Sequence, residues 1–395
     1  MDIFLGIDHL PFKATAKAAL LIAKICITSP SYEAGTKNLY DAYDIKISKS
    51  EAWEITEYVG DIVLTNELQL VAADLQAYDV SKARIARPGR RPKDGFALYV
   101  MPDGSMYNTK PNTRNMSPAT DEEDTQTIES EQPAKGTNIS TWQELKLAVV
   151  FRSDDLIKTS EVNKHGVPVM RIGMREYVGT IKPIDHFRNR LLHVLIKNGL
   201  MDASDVVFIG DGAKWIQNTR KRFINNKGTG VLDLYHLKEN TMEFAKYIFH
   251  NNETQYMPWW KNVCQMLEDG RWKDVLALPE VALYKTRQTP AGTVNLHKYI
   301  YENREYINYP HYMAKGYFVG SGAIESGNKT VPQERMKLAG MKWRPSCAER
   351  MLILRTKYKS NLWDEEVVPL VLTKYSKHHL AENSIRTAQR KSHKK

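Results

Sequence analysis

Cysteine is scarce: Cys26, Cys264 and Cys347 are the only three in 395 residues. Their wide spacing excludes a disulfide framework and a CxxC zinc site, and points to a reducing compartment. Long apolar runs are missing too. The nearest approach, Ala18–Ile27, follows Lys17 and is interrupted by Lys24; it is too short to span a bilayer, and no small-residue cleavage pattern follows it. No internal repeat is present. With 42% hydrophobic and 26% charged residues the chain is not broadly disordered, and its length leaves room for two or three domains around at least one large core. The expectation is a soluble, cytoplasmic protein without a membrane partner.

Acid is absent from two stretches, and these account for the whole formal charge of +10. KARIARPGRRPK carries Lys82, Arg84, Arg87, Arg90, Arg91 and Lys93; the last twelve residues carry Arg386, Arg390, Lys391, Lys394 and Lys395. Clustered cations displace condensed counterions from phosphates, so a polyanionic partner is one implication and a solvated linker and tail is the other. His378-His379 lies in the basic tail with no ligand partner nearby in sequence and is assigned no metal.

Periodicity divides the chain. Residues 1–80 read as helical, with Phe12, Ala16, Ala19, Leu20, Ala23 and Ile27 at helical spacing. Two short helices follow, Tyr32–Tyr43 and Lys49–Gly60, the second capped by Ser48. They have the size of a helix-turn-helix, and equally of an ordinary αα-hairpin. Residues 81–94 form the basic linker. Phe96–Met101 then reads as a strand ending in Pro-Asp-Gly, with Ser105–Lys110 as its hairpin partner, and 112–138 as an acidic, Pro- and Thr-rich flexible loop. Trp142–Phe151 is a strand, Val167–Ile181 adds more, and Ile184–Asn198 is a helix. Val206–Ile209 is a buried strand, Ala213–Phe223 a helix and Gly230–Leu234 a strand. The chain from about His236 to Tyr312 is mostly helical, and a last helix begins near Ala323. The order is that of a mixed α/β protein with an all-α insertion.

Three acids stand where surface decoration explains them poorly. Asp103 follows an apolar strand, Asp211 follows another in IGDG, and Glu325 sits in the first turn of a helix in GSGAIESGNK. Taken singly, each has a plain alternative: Asp-Gly is a turn signal, IGDGAKWI suits a nucleotide-binding turn or a simple αβ connection, and Glu325 suits a helix dipole. Carboxylates that converge repel one another unless divalent cations lie between them. Hard cations of that kind bridge to phosphate, so a phosphodiester is the natural substrate.

The joint order of Asp103, IGDGAKWI (209–216), VLDLYH (231–236) and GSGAIESGNKTVPQERMKLAGMKW (320–343) resembles bacterial insertion-sequence transposases of the DDE superfamily, in particular the Mutator-like branch with a helical insertion before the last acid. The resemblance covers roughly residues 95–360. It implies a ribonuclease H-like α/β catalytic core, a mixed sheet flanked by helices, in two parts: 95–236 and 316–365. Between them lies an all-α insertion at 237–315; an all-α helix-turn-helix region at 1–80 precedes the core and a basic tail at 366–395 follows it. It implies Asp103, Asp211 and Glu325 as ligands of two Mg²⁺ ions, with Mn²⁺ able to substitute, and Asp154 or Asp155 as rivals for the first acid. Asp233-Leu-Tyr-His236 resembles the family's D-x-x-H motif, which implies His236 near the scissile phosphate, its ring oriented by Asp233. The implied partners are the element's terminal inverted repeats and target DNA, bound by a nucleoid-associated homodimer with no small-molecule substrate.

Further DNA contacts are expected from Lys329, Arg335, Lys337 and Arg344 around Glu325, with a surface Glu325–Lys329 ion pair as the alternative. Trp259, Trp260 and Trp272 of the insertion are read either as core or, for one of them, as a stacking partner for an unpaired base. Rival functions are a DNA-binding protein with an inactive or domesticated transposase fold, a metal-dependent nuclease without strand transfer, and a scaffold whose acids are structural.

Overall fold

The structure is a computed structural model, described over residues 10–77, 95–110, 141–162, 168–224 and 228–375. The six cations of the 82–93 stretch, the acidic loop and the residues beyond 375 lie outside the described residues.

Three helices open the chain. α1 (Ala16–Thr28) is capped by Thr15, whose hydroxyl accepts from Ala18 N at 3.2 Å. α2 (Tyr32–Tyr43) is capped by Ser31, which accepts from Ala34 N at 3.0 Å. α3 begins at Lys49, as expected from Ser48, which accepts from Glu51 N at 3.1 Å. It does not stop at Gly60 but runs to Ala77. Gly60 is a point of close approach: a Cβ there would lie 2.8 Å from Arg350 Cβ, on a helix that crosses α3. The glycine that reads as a helix end marks a crossing instead.

The main sheet has the order β5-β2-β1-β6-β7. It comprises β1 (Ala97–Thr109), β2 (Thr141–Arg152), β5 (Glu176–Thr180), β6 (Asp205–Gly210) and β7 (Thr229–Leu232). β1 pairs antiparallel with β2, and β2 with β5; β6 runs parallel to β1, and β7 to β6. β3 (Leu156–Val162) and β4 (Pro168–Ile172) form a separate antiparallel pair. β1 is one continuous strand rather than the hairpin suggested by Pro-Asp-Gly: Asp103 and Gly104 pair with Leu147 and Lys146 of β2. Pro102 lies beyond the last β1–β6 pair, Val100↔Phe208, where the strand is no longer paired on both sides.

The pleat sends alternate side chains to opposite faces. Leu98, Val100, Val150, Val206 and Phe208 meet Phe187, Leu191 and Leu195 of α4 (Ile184–Lys197). Tyr99, Met101, Leu147, Val149, Val207 and Ile209 join the other core. That core also contains Ala23 and Ile27 of α1, Val59 and Ile62 of α3, and Met351 and Leu352 of a C-terminal helix, so the N-terminal helices share one apolar core with the sheet. α5 (Lys214–Ile224) connects β6 to β7.

After β7 come α6 (Leu234–Ile248), α7 (Glu253–Glu268), α8 (Trp272–Ala277), α9 (Pro279–Ala282), α10 (Leu296–Glu302) and α11 (Tyr309–Ala314), the expected helical insertion. Trp259 and Trp272 pack on its core, and Trp260 donates to Lys238 O at 3.0 Å. α12 (Gly322–Asn328) leads into a π turn over Lys329–Gln333, and α13 (Pro345–Lys359) closes the core. Among the described residues, no helix is long and apolar enough to cross a membrane.

Candidate active site

Strand register places three acids on one row. The pairs Ala97↔Asp205 and Val100↔Phe208, continued along β1, set Asp103 level with Asp211, and Gly210↔Leu232 sets Asp211 beside Asp233. Neighbouring strands are about 4.8 Å apart. Asp103 has the parity of Tyr99 and Met101, and Asp211 that of Val207 and Ile209, so both project to the face against which α12 packs. α12 brings Glu325 to that face.

Each acid is held by local chemistry. Asp103 Oδ1 accepts from Gly104 N at 2.8 Å, and Oδ2 accepts from Asn328 Nδ2 at 2.5 Å. Asp211 Oδ1 accepts from Ala213 N at 2.9 Å, while its carbonyl accepts from Tyr299 Oη of the insertion at 2.6 Å. Gly212 follows at φ +94°, where a Cβ would also meet the Asn303 amide at 2.9 Å. Glu325 is exposed; its Oε1 lies 3.2 Å from Ser321 Oγ, whose single proton goes to Asp233.

Asp103 is pushed up by burial and then by the negative charge of Asp211, with Glu325 adding to the push and the Gly104 N–H and His236 opposing it. The three acids and His236 therefore share one electrostatic environment. Asp154 and Asp155 do not join it. Asp154 pairs with Arg152, and the adjacent Ser153 Oγ accepts from Ala97 N at the start of β1. Asp103 is six residues further along the strand, roughly 20 Å at 3.3 Å per residue.

Asp233, His236 and Glu325 offer ligand atoms within 4.8 Å of one another, but two of the three are committed elsewhere. Asp233 is fully buried; its Oδ1 accepts from Tyr235 N at 2.8 Å, and its Oδ2 accepts from His236 Nδ1 at 2.7 Å and from Ser321 Oγ. Burial alone would raise its pKa, but the hydrogen bonds from His236, Ser321 and Tyr235 outweigh it and hold the carboxyl low. The Asp233 hydrogen bond raises His236 to about 9 against the opposing effect of burial, which favours the charged imidazolium near neutral pH, and its Nδ1 is already bonded to Asp233. Among the described residues of the site, the carboxylate oxygens left without a protein donor are Asp211 Oδ2 and the two of Glu325.

The basic residues separate. Lys329 is exposed and forms no ion pair with Glu325. Lys337 donates to Ser105 Oγ at 3.3 Å, and Arg344 is exposed just before α13. Arg335 is a correction: it is 2% exposed, its guanidinium lying 4.8 Å from the Tyr32 ring and 5.2 Å from the Trp343 ring, so it is not on a surface shared with Glu325. The π turn, with Pro332 inside it, takes the chain out of α12's register before Arg335.

Asn328 and Ser321 were not anticipated. They stand three residues after and four before Glu325, spacings that share a helix face, but neither carries a charge to draw attention. No family model matches the chain, and no match was found among curated proteins.

Proposed function

We propose that the chain is a DDE transposase of an insertion sequence, with a ribonuclease H-like core, that cuts DNA at terminal inverted repeats and joins the freed 3′-OH to target DNA. The observation that carries this reading is the convergence of Asp103, Asp211 and Glu325 on one face of the sheet. The mixed five-stranded sheet is compatible with such a core, and the resemblance of the motifs points the same way.

The donor set fits hard divalent cations. All three groups are carboxylates, two have an oxygen without a donor, and burial together with the charges of Asp211 and Glu325 raises Asp103, a cost that a cation would reduce. Asp103, Asp211 and Glu325 would hold Mg²⁺, or Mn²⁺ in its place, and the ions would supply an acidified water and charge neutralisation at the leaving oxygen. The chain's own part is positioning. Asn328 and the Gly104 N–H orient Asp103, the Ala213 N–H orients Asp211, and Ser321 gives its single proton to buried Asp233. Asp233 in turn fixes the ring of His236, which presents a positive charge to an anionic phosphate.

The test is incubation with DNA carrying the element's inverted repeat, with Mg²⁺ and then with EDTA, read on a denaturing gel. Nicking at the repeat boundary that is lost with EDTA and in Asp211→Ala is expected. Supplying a donor end with a free 3′-OH then separates a transposase, which joins it to target DNA, from a nuclease, which does not. Normal cleavage by Asp211→Ala or Glu325→Ala would overturn the assignment.

A further inference from the structure

A second basic feature lies away from the acids. Between α2, the start of α3 and the N-terminus of α13 is a cavity of about 590 Å³. Arg335 lines it, with Tyr32 and Trp343 on either side of the guanidinium. Arg335 Nε donates to Cys26 O at 3.3 Å, but Nη2 has no acceptor and no carboxylate pairs with the side chain among the described residues. A buried guanidinium without a counter-anion is costly. Burial lowers its pKa, as expected for an uncompensated cation.

Three independent features make the cavity electropositive. Its floor carries the unpaired Arg335 charge. Its walls hold Lys49, Lys110, Lys342 and Arg344, all exposed and none in an ion pair with a described residue, against Glu33 as the one acid among the described lining residues. The N-terminus of α13, fifteen residues long, enters it at Cys347, and no side chain caps that end. Its first-turn N–H groups and helix dipole favour an anion.

The cavity is also tied to the catalytic strand. Trp343 N donates to Asn108 O, and Lys110 N to Trp343 O, both at 2.9 Å. Asp103 lies six residues back from Thr109 on β1, about 20 Å away. At 3.4 Å per nucleotide, that span is about six nucleotides of duplex.

We infer that this cavity is a phosphate pocket that holds one backbone phosphate of bound DNA, about six nucleotides from the bond that is cut. Exposed Lys110, Lys342 and Arg344 supply the N–H donors, while Arg335 supplies charge from beneath. That the pocket holds a DNA phosphate rests on the nucleic-acid part of the reading above; only its distance from the cut bond rests also on the cleavage chemistry.

The test uses the full chain in EDTA, with a duplex of about 24 base pairs as the probe and KCl varied. Lys342→Ala/Arg344→Ala changes exposed side chains and leaves the core intact. The slope of log K against log[KCl] is expected to fall by about 1, with affinity at about 0.1 M KCl reduced on the order of tenfold. An unchanged slope and affinity would overturn the inference. In a second arm, inorganic phosphate alone is added and melting temperature is read. If phosphate stabilises the wild type but not the variant, while duplex binding by the two is identical, the pocket takes a free phosphate and the DNA assignment is wrong. Because these arms contain no divalent ion, a chain that binds through the pocket yet never cuts DNA would refute the transposase and leave the pocket standing.

Discussion

His236 offers a direct measurement of the site's electrostatics. Its folded pKa of about 9 stands above the ordinary 6.5, chiefly through the hydrogen bond to Asp233, with the charges of Asp233, Asp211 and Glu239 adding to it. At ~1.4 kcal/mol per pH unit the ceiling on the linked stability is roughly 3 kcal/mol. The imidazole is 38% exposed, so solvent screening reduces this to about 1–1.5 kcal/mol. The sign follows from the direction of the shift. The native state binds the proton more tightly than the unfolded chain, so the stabilisation is complete below 6.5 and disappears as pH rises through 9. Urea unfolding of the metal-free wild type and of His236→Gln, each followed at pH 6 and pH 10, isolates the contribution. The wild type is expected to lead by about 1–1.5 kcal/mol more at the lower pH than at the higher. The same difference at both pH values would show that Asp233 and His236 are not a charged pair. A proton NMR titration placing His236 at or below 7 would refute it independently.

Other outcomes follow from the same geometry. Asp211→Asn removes a proposed metal ligand and is expected, in the presence of Mg²⁺, to lower DNA cleavage at least ~10³-fold, measured on a denaturing gel. Gly60→Ala places a Cβ 2.8 Å from Arg350 Cβ and 3.3 Å from its carbonyl, and is expected to cost about 1–3 kcal/mol in chemical denaturation. Arg190 is buried between Glu67 and Glu349, 3.1 Å and 2.6 Å away; Arg190→Met leaves buried Glu349 without its cation, while Glu67 keeps Lys357 at 3.2 Å, and is expected to cost about 3 kcal/mol by the same measurement. Asn328→Ala removes the side-chain donor to Asp103 and is expected to reduce cleavage by roughly 10–100-fold without changing DNA affinity, the ratio being read from single-turnover rates and from binding in EDTA.

What the sequence made legible follows from the range over which each feature is determined. Ser48 as a helix cap, the apolar run Val206–Ile209 and the helix beginning near Ala323 depend on neighbours a few residues away, and each stands where expected. Pro102-Asp103-Gly104 and Gly60 misled for the opposite reason. Proline and glycine signal a turn only if nothing else holds the backbone; β2 holds the first and Arg350, 290 residues downstream, crosses at the second. Arg335 shows the same limit, since a five-residue π turn between Glu325 and Arg335 was enough to turn a presumed surface cation into a buried one.

The site itself lies between these cases. Each acid taken singly had a plain alternative, and only their joint order along the chain drew attention to them. That Asp103 lies level with Asp211, and Asp154 does not, depends on the register between β1 and β6, whose paired residues are 108 positions apart. Register is set by matching the buried faces of the two strands, and a slip of one residue would have sent Asp103 to the face covered by α4. The alternation of Tyr99 and Met101 with Leu98 and Val100 thus decides which face the acid joins, and the core residues of β1 are as much a part of the site's specification as Asp103 is.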